Sequence, residues 1–390
     1  MKTLQMFRGA ALCVLLVCVV TACGSTSQPT PPATSPTRVI QSPPTATVSM
    51  AAPAAVQPAG DSDVAVPVAE ITLPGEGIDL AVAEDAIWVL LKGNQISRID
   101  PATHQIVATI PIQLTGPNPA VAEIGALTVG EGAVWLAATN EIIRLDPATG
   151  ETTHRIIPPQ GEELKRDVCW DYQTITVGEG AVWVGCHEGW VIRLDPATND
   201  ITAAIAVLHE YISMSRGAAS ARHLALAVEN GVVWAAYPHL NTIIRIDPAT
   251  NQVVAQLDLE QAGWFLACYS PDCLAVTENA VWAQVAEDKW ARGQQLLRID
   301  PGTNQIVGSI LDQEPVPIGV VVDEAVLWVN RQEDILRLDP FTSRTTGQVV
   351  VSSWKSSLRH LCGALAVGAD SLWCLAEIVG NPLYCYDLPR

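Results

Sequence analysis

The chain of 390 residues carries 22 basic and 41 acidic side chains, which gives a formal net charge of −19. Such an acidic surface repels phosphate polymers and anionic lipid headgroups, so the composition argues against nucleic acid as a partner and against electrostatic attachment to a membrane. The length exceeds the usual size of one hydrophobic core, which predicts either several domains or a repeat.

The N-terminus has the features of a secretory signal. Lys2 and Arg8 precede a short apolar run over residues 10–20, which is too short to span a bilayer stably. The run ends in the letters VTAC, which resemble a bacterial lipobox. We expect cleavage before Cys23 and acylation of this cysteine, by palmitate among other chains, which would anchor the protein to a membrane without spanning it. In the alternative, an ordinary signal peptide is cut nearby and Cys23 has no special role.

The segment that follows is rich in Pro, Ser, Thr and Ala and nearly free of charge. It buries too little apolar surface to offset its ordering entropy, and its prolines favour extended conformers. We therefore expect three regions: a lipoprotein signal peptide (1–22), a lipidated cysteine with a disordered linker (23–63), and a folded domain (64–390). The expected location is a bacterial cell envelope, facing outside the cytoplasm.

The folded region is built from a repeat. The string RIDPATN recurs six times with small edits, and a Trp that follows Ile, Val or Leu recurs seven times, each time six residues after a Val. Successive tryptophans are 45 to 51 residues apart, which is the period of four-stranded propeller blades. The tryptophans are Trp88, Trp135, Trp183, Trp234, Trp282, Trp328 and Trp373.

One unit, residues 126–157, predicts four strands in the runs ALTVG, AVWLAA, IIRLD and ETTHRII, separated by turns. In the repeated string, Asp can accept bonds from amides ahead of it and Pro presets the turn dihedral. Arg144 and Asp146 are two apart on one strand and share a face, so we expect a local ion pair there and in the five counterparts. Six equivalent pairs indicate scaffold rather than catalysis, because an active site is one asymmetric constellation.

The fold class predicted is all-β, a seven-bladed β-propeller. Seven Trp strands are present, but the repeated string, which a fourth strand follows, occurs only six times. The last blade therefore has no fourth strand of its own. The segment 64–75 has the alternation of a strand, and we expect it to complete the last blade and so close the ring.

The segments IIRIDPATNQVVAQLDL and LTVGEGAVWLAATN resemble the repeats of YVTN-type propellers and of the streptogramin lyase-like (virginiamycin B lyase-like) group, over residues 64–390. That resemblance implies a magnesium-dependent enzyme that opens a cyclic depsipeptide by elimination, with a His and a Glu-x-His pair. The chain contains no Glu-x-His, and the pairs His187-Glu188 and His209-Glu210 have a different spacing. The sequence therefore favours a protein without catalysis.

Segment lengths vary on one side of the predicted disc. The turns between strands one and two and between strands three and four hardly change, whereas the second hairpins and the connections between blades do. These variable segments carry aromatic, His and Arg side chains, which predicts a recognition surface for a protein, peptide or glycan. In the alternative, the rings only cover the ends of the blades. The candidates are Trp170, Tyr172, His187, Trp190, Tyr211, His223, Tyr237, His239, Trp264, Trp290, Trp354 and His360.

Four carboxylates precede the Trp residues by nine to twelve positions, at the expected start of the innermost strands: Asp79, Glu123, Asp171 and Asp272. Around a pore they could hold a hard cation such as calcium, or they are solvated strand ends. No resident cofactor is predicted, and a divalent cation remains an open alternative.

Seven cysteines follow Cys23, and an exported protein makes disulfides the first expectation. We expect the pairs Cys169–Cys186, Cys268–Cys273 and Cys374–Cys385. This leaves Cys362 over, as a competitor for Cys374. A zinc site is disfavoured because paired Cys-x-x-Cys spacing is absent from the sequence.

Three functions remain. The first is a lipid-anchored propeller that binds a ligand on its variable loops. The second is a lyase or hydrolase in the central funnel, metal-assisted or not, using His223, His187 or His360 with a nearby acid. The third is a scaffold within an envelope complex.

Overall fold

The structure, a computed structural model, describes residues 37–39, 67–115, 122–157, 172–186, 189–207, 224–268, 271–288, 293–310, 317–323, 326–331, 334–350, 362–376 and 382–388. These residues form thirty β-strands and two short 3₁₀ turns, Pro238–Leu240 and Pro271–Cys273. Within the same residues, no helix is long and apolar enough to cross a membrane.

The strands form seven sheets, here called blades 1 to 7. Two strands, β1 (Thr37–Val39) and β2 (Ala69–Ile71), precede blade 1. Blade 1 contains β3 (Gly77–Val82), β4 (Ile87–Leu91), β5 (Gln95–Asp100) and β6 (Gln105–Pro111). Blade 2 contains β7 (Ile124–Gly130), β8 (Ala133–Ala138), β9 (Glu141–Leu145) and β10 (Thr152–Ile156). Blade 3 contains β11 (Tyr172–Gly178), β12 (Ala181–Cys186), β13 (Trp190–Leu194) and β14 (Ile201–Ala206).

Blade 4 contains β15 (Ala225–Glu229), β16 (Val232–Tyr237), β17 (Thr242–Asp247) and β18 (Gln252–Asp258). Blade 5 contains β19 (Phe265–Leu266), β20 (Leu274–Thr277), β21 (Ala280–Ala286), β22 (Gln295–Asp300) and β23 (Gln305–Ile310). Blade 6 contains β24 (Pro317–Asp323), β25 (Val326–Arg331), β26 (Asp334–Leu338) and β27 (Thr345–Val350). Blade 7 contains β28 (Cys362–Gly368), β29 (Ser371–Ala376) and β30 (Leu383–Asp387).

The ring closes in blade 7, where the N-terminal strand β2 supplies the fourth strand. It pairs antiparallel with β30, with Ala69 opposite Cys385 and Ile71 opposite Leu383. The innermost strand of each blade contacts that of the next, and β28 contacts β3. The predicted seven-bladed propeller and its closure by an N-terminal strand are confirmed.

Each blade packs on the next through the repeated Trp and Val. The seven repeat tryptophans are almost fully buried. At three junctions the repeated Val packs on a glycine that ends the innermost strand of the preceding blade, and a Cβ added at Gly130 would lie 2.4 Å from Val177. A Cβ at Gly178 would likewise lie 2.6 Å from Val228. The glycine therefore lets neighbouring sheets approach closely.

The predicted local Arg–Asp ion pair is wrong, because Arg144 reaches the next blade. Its Nη1 donates to the carbonyl oxygen of Pro196 and to Oδ1 of Asn199, each at 3.0 Å. The guanidinium also lies over the ring of Trp135, 5.2 Å from its centroid. Asp146 is occupied by its own turn, where Oδ1 accepts from the backbone N–H groups of Ala148 and Thr149. These donors, Thr149 first, lower the pKa of Asp146.

We call this arrangement the Arg latch; it recurs with Arg193 on Asn251 and with Arg245 on Asn304. The accepting Asn has a positive φ of 56° to 63° at all three turns, a conformation that Asn tolerates. At the junction of blades 1 and 2 the turn has Gly150 instead, and Arg98 lies 3.5 Å from Asp85. The last letter of the repeated string is thus both a turn residue and an acceptor.

The cysteines differ in part from the expected pairing. Cys268 and Cys273 form a disulfide, with Cα atoms 5.0 Å apart. Cys374 is bonded to Cys362 and not to Cys385, which is free and buried. The reason is register: Cys385 lies opposite Trp373, so its side chain is on the other face of the sheet from Cys374.

Cys186 is disulfide-bonded, and its expected partner Cys169 lies outside the described residues. Burial raises the pKa of the free Cys385 thiol.

Candidate functional site

A cavity of about 620 Å³ lies at the centre of the ring. The innermost strands of all seven blades line it, mostly with Leu, Val, Ala and Thr side chains. Two carboxylates, Asp79 and Asp272, lie at the end where these strands begin, and Glu229 and Glu278 lie at the other end. The channel is therefore lined by small and aliphatic side chains together with exposed backbone polar groups, and it has acidic side chains near both mouths.

Asp79 is an exception to the repeat. It stands three residues before the repeated Val, where the other blades have small or neutral residues, namely Ala126, Thr174, Ala225, Cys273, Gly319 and Ala364. Its Oδ2 accepts from the N–H of Leu127 in blade 2, at 2.9 Å, and its Oδ1 from the N–H of Leu80, at 2.8 Å. Burial raises the pKa of Asp79 to about 6, although both N–H donors oppose the shift. The carboxylate thus joins the inner edges of two blades.

Asp272 crosses from blade 5 towards blade 7. It lies in the 3₁₀ turn before β20 and accepts from the N–H of Leu365 in β28. It passes Gly319 of blade 6, where an added Cβ would lie 3.5 Å from the Asp272 Cβ. Burial, and then repulsion from the Asp79 charge, raise the pKa of Asp272 to about 7. The two carboxylates therefore act on each other electrostatically across the channel mouth.

The four predicted carboxylates do not all meet at this mouth. Asp79 and Asp272 do, but Glu123 is exposed and does not line the channel. Its neighbours are fixed by Asn94, which accepts from the N–H of Ile124 and donates to the carbonyl oxygen of Ala122. Asp171 lies outside the described residues. Among the residues that are described, no three His, Cys, Asp or Glu side chains form a group that could hold a metal ion.

Three of the predicted recognition residues are buried, so an exposed role is wrong for them. Trp190, Tyr237 and Trp264 are 1 %, 9 % and 8 % exposed. Each packs in a core between blades, for example Trp190 with Trp135 and Cys186. Trp190 is buried because both faces of its strand are covered by neighbouring blades.

Tyr172 and His239 are described in their backbone only. The remaining candidates lie outside the described residues: Cys23, Trp170, His187, Tyr211, His223, Trp290, Trp354 and His360.

Buried polar side chains bind the ends of the variable segments to the blades, and the repeat pattern in the sequence did not indicate these side chains. Glu141 is fully buried and accepts from Thr115, through the backbone N–H at 2.7 Å and the hydroxyl at 3.0 Å. Arg155 donates to Glu141 at 2.9 Å and to the carbonyl oxygen of Gln113 at 2.7 Å. Together they tie the connection after blade 1 to blade 2.

Amide side chains do the same at other junctions. Asn241 accepts from the N–H of Leu266 at 3.1 Å, and Gln284 donates to the carbonyl oxygen of Pro317 at 2.6 Å. Asn330 donates to the carbonyl oxygen of Cys362, also at 2.6 Å. The sequence could have indicated Gln284 and Asn330, because each is the single amide side chain in a largely apolar Trp strand, AVWAQVA and VLWVNR respectively. The connections therefore start from rigid points.

Structures with this architecture are found among known proteins. BamB from Moraxella catarrhalis is 12 % identical, with 82 % of this chain and 85 % of that chain covered and a TM-score of 0.52. A chain of a mitotic checkpoint complex is 11 % identical, with 91 % and 99 % covered and a TM-score of 0.59. The Pan2 WD40 domain of Neurospora crassa is 11 % identical, with 81 % and 90 % covered and a TM-score of 0.57.

This chain is similar to all three in fold. At sequence identities this low, the similarity shows the propeller fold and gives no information about activity. No protein-family model and no curated protein sequence matches the chain.

Proposed function

We propose that this protein is a membrane-anchored propeller of a bacterial cell envelope, held by acylated Cys23, that binds a protein, peptide or glycan and catalyses no reaction. Its repeats belong, in this proposal, to the YVTN and streptogramin lyase-like type. The ligand surface is the face on which the second hairpins and the connections between blades lie, which we call the loop face. The opposite face, with the first and third hairpins, is the constant face.

The observation that carries the proposal is the different use of the two faces. On the constant face, the turns bind the Arg latches, which hold one blade against the next. On the loop face, Glu141, Asn241 and Asn330 fix the roots of connections whose lengths differ from blade to blade. Rigid roots reduce the entropy lost when a loop binds, so this face suits recognition.

The test compares the capture of envelope proteins and glycans by the full chain and by matched aromatic variants. Trp354→Ala removes an aromatic from a variable connection. Phe341→Ala removes an aromatic that is 53 % exposed on a constant-face turn. We expect Trp354→Ala to weaken capture and Phe341→Ala to leave it unchanged. Loss of capture in Phe341→Ala alone would contradict the assignment of the faces.

The anchor is tested separately by the mass of the N-terminal peptide and by extraction of membranes. We expect Cys23→Ala to release the protein from the membrane fraction without changing the affinity for the captured ligand. An unmodified Cys23 in the wild-type protein would refute the anchor and leave the binding proposal to its own test.

A second candidate is a lyase or hydrolase in the central channel, favoured by Asp79 and Asp272. Two carboxylates with raised pKa values in one cavity resemble an acid–base pair. This function predicts ring opening of a cyclic depsipeptide with added magnesium, lost in Asp272→Asn. Binding without turnover would exclude it for that substrate. Constant co-purification of one stoichiometric protein would instead indicate a scaffold in an envelope complex.

A further inference from the structure

Blade 3 carries a fifth strand on its outer edge. The short strand β1, which lies in the predicted linker, pairs parallel with β14. Thr37 is opposite Ala203, Arg38 opposite Ala204 and Val39 opposite Ile205. In the other blades, the outermost strand ends its sheet within the described residues.

The sequence of β14 explains why this edge accepts a strand. It reads ITAAIA, without charge, Pro or Gly. Every other outermost strand contains one of these, and they are Pro111, Arg155, Asp258, Gly308, Gly347 and Glu70. Charges and Pro keep sheet edges from pairing, and Gly weakens a strand, so β14 is the least protected edge of the ring.

The occupant is the protein's own chain, and the connection is long enough to permit it. Residues 40–68 separate β1 from β2. Fully extended, they span up to about 95 Å, against a diameter of about 50 Å for a domain of this size. A segment tethered in this way is present at an effective concentration on the order of millimolar, which favours even a short strand. The compact unit that contains the propeller also includes β1.

We propose that the outer edge of blade 3 is a strand-acceptor site for residues 37–39, and that the added strand runs from the constant face towards the loop face. The direction follows from the parallel pairing. Strand β14 begins directly after a constant-face turn, residues 195–200, and runs towards the loop face. Thr37 therefore lies at the constant-face end of β1.

For the anchored protein, this pairing shortens the free segment between Cys23 and the propeller; this consequence rests on the proposed function. Thirteen residues, 24–36, then separate Cys23 from β1. They reach about 45 Å at most, compared with about 150 Å for residues 24–68 if β2 alone held the chain. The acidic surface can still stay beyond the Debye length of about 8–10 Å.

Hydrogen exchange of the full chain, read by mass spectrometry, tests the site. Among the strands that the structure describes, none pairs with the outer edge of β18 in blade 4, so β18 serves as the reference within the same molecule. In the wild type we expect the outward amides of β14 to exchange at least 10-fold more slowly than those of β18. The variant Arg38→Pro/Val39→Pro removes at least one ladder donor whatever the phase of β1, because alternate residues face the neighbour. It should abolish this difference and leave β18 unchanged.

The matched control is Thr47→Pro/Val48→Pro, which adds two prolines to the linker outside β1 and should behave as the wild type. Equal exchange in β14 and β18 of the wild type would overturn the proposal. So would protection of β14 that survives the substitution at Arg38 and Val39. Protection that disappears on dilution would also overturn it, because the strand would then come from a second copy. The lipid state of Cys23 affects none of these readings, so failure of the anchor and failure of the strand site are distinguishable.

Discussion

The Arg latch predicts a measurable stability difference between two Asn→Gly substitutions. In Asn251→Gly, the turn keeps its positive φ of 56°, because Gly adopts this conformation readily, but Arg193 Nη1 loses the acceptor at 2.9 Å. A hydrogen bond to a charged donor contributes about 1.5–3 kcal/mol. Arg193 keeps its bond to the carbonyl oxygen of Pro248 and its place over Trp183, so we expect a loss of about 1.5 kcal/mol.

The control is Asn230→Gly, at an exposed turn with φ 53°, and it measures the backbone effect alone. Urea unfolding followed by tryptophan fluorescence provides the assay, since the chain has 12 Trp. In an Arg193→Met background, Asn251→Gly should cost no more than Asn230→Gly. Equal losses in the two single variants, or an undiminished loss in the Arg193→Met background, would refute the latch as a bond between blades.

Three further predictions concern the channel, the closing blade and one imperfect latch. Burial raises the pKa of Asp79 to about 6, so the folded state disfavours the charged carboxylate and the free energy of unfolding falls as pH rises from about 4 through 6. We therefore expect Asp79→Asn to raise the free energy of unfolding by up to about 3 kcal/mol at pH 8 and to change it little at pH 4. Glu123→Gln, at an exposed carboxylate, is the neutral control, and no gain for Asp79→Asn at pH 8 would contradict the prediction. Peptide mapping without reduction should find Cys362 linked to Cys374, and Cys385 should be alkylated once the protein is unfolded. The double variant Cys362→Ala/Cys374→Ala should lower the free energy of unfolding in urea by about 2–3 kcal/mol. A peptide that links Cys374 to Cys385 would show that the register of blade 7 is wrong. Ser343 has φ 59° and takes the place in the blade 6 turn that Asn304 takes in blade 5, so Ser343→Asn should give Arg298 a latch acceptor. We expect the free energy of unfolding in urea to rise by about 0.5–1 kcal/mol, and a decrease would show that Asn does not fit there.

Local periodicity was sufficient to predict the propeller. The spacing of Trp88 to Trp373, the alternation of the strands and the Asp-Pro turns are properties of one repeat unit, and each unit has one low-energy way to bury its apolar face. Closure by β2 also followed, because an unpaired strand position remained once the motifs were counted.

The partners of individual polar groups depended on the tertiary structure. The sequence spacing allowed Arg144 to pair along its own strand. A turn of blade 3 instead offers it two acceptors, and Trp135 on the adjacent strand of its own blade offers a ring face. In the same way, Cys374 and Cys385 are near in sequence, while pleating places them on opposite faces.

The candidate site shows the same division. Asp79 and Asp272 were recognisable as carboxylates at strand starts, yet only ring geometry brings residues of blades 1 and 5 to one mouth and excludes Glu123. Trp190 and Trp264 read as surface aromatics because they interrupt the repeat, although packing between sheets buries them. Sequence determined which elements form, because those preferences act over a few residues. Which side chains meet was decided by the closure of seven sheets around one axis, which sets contacts between residues more than fifty positions apart.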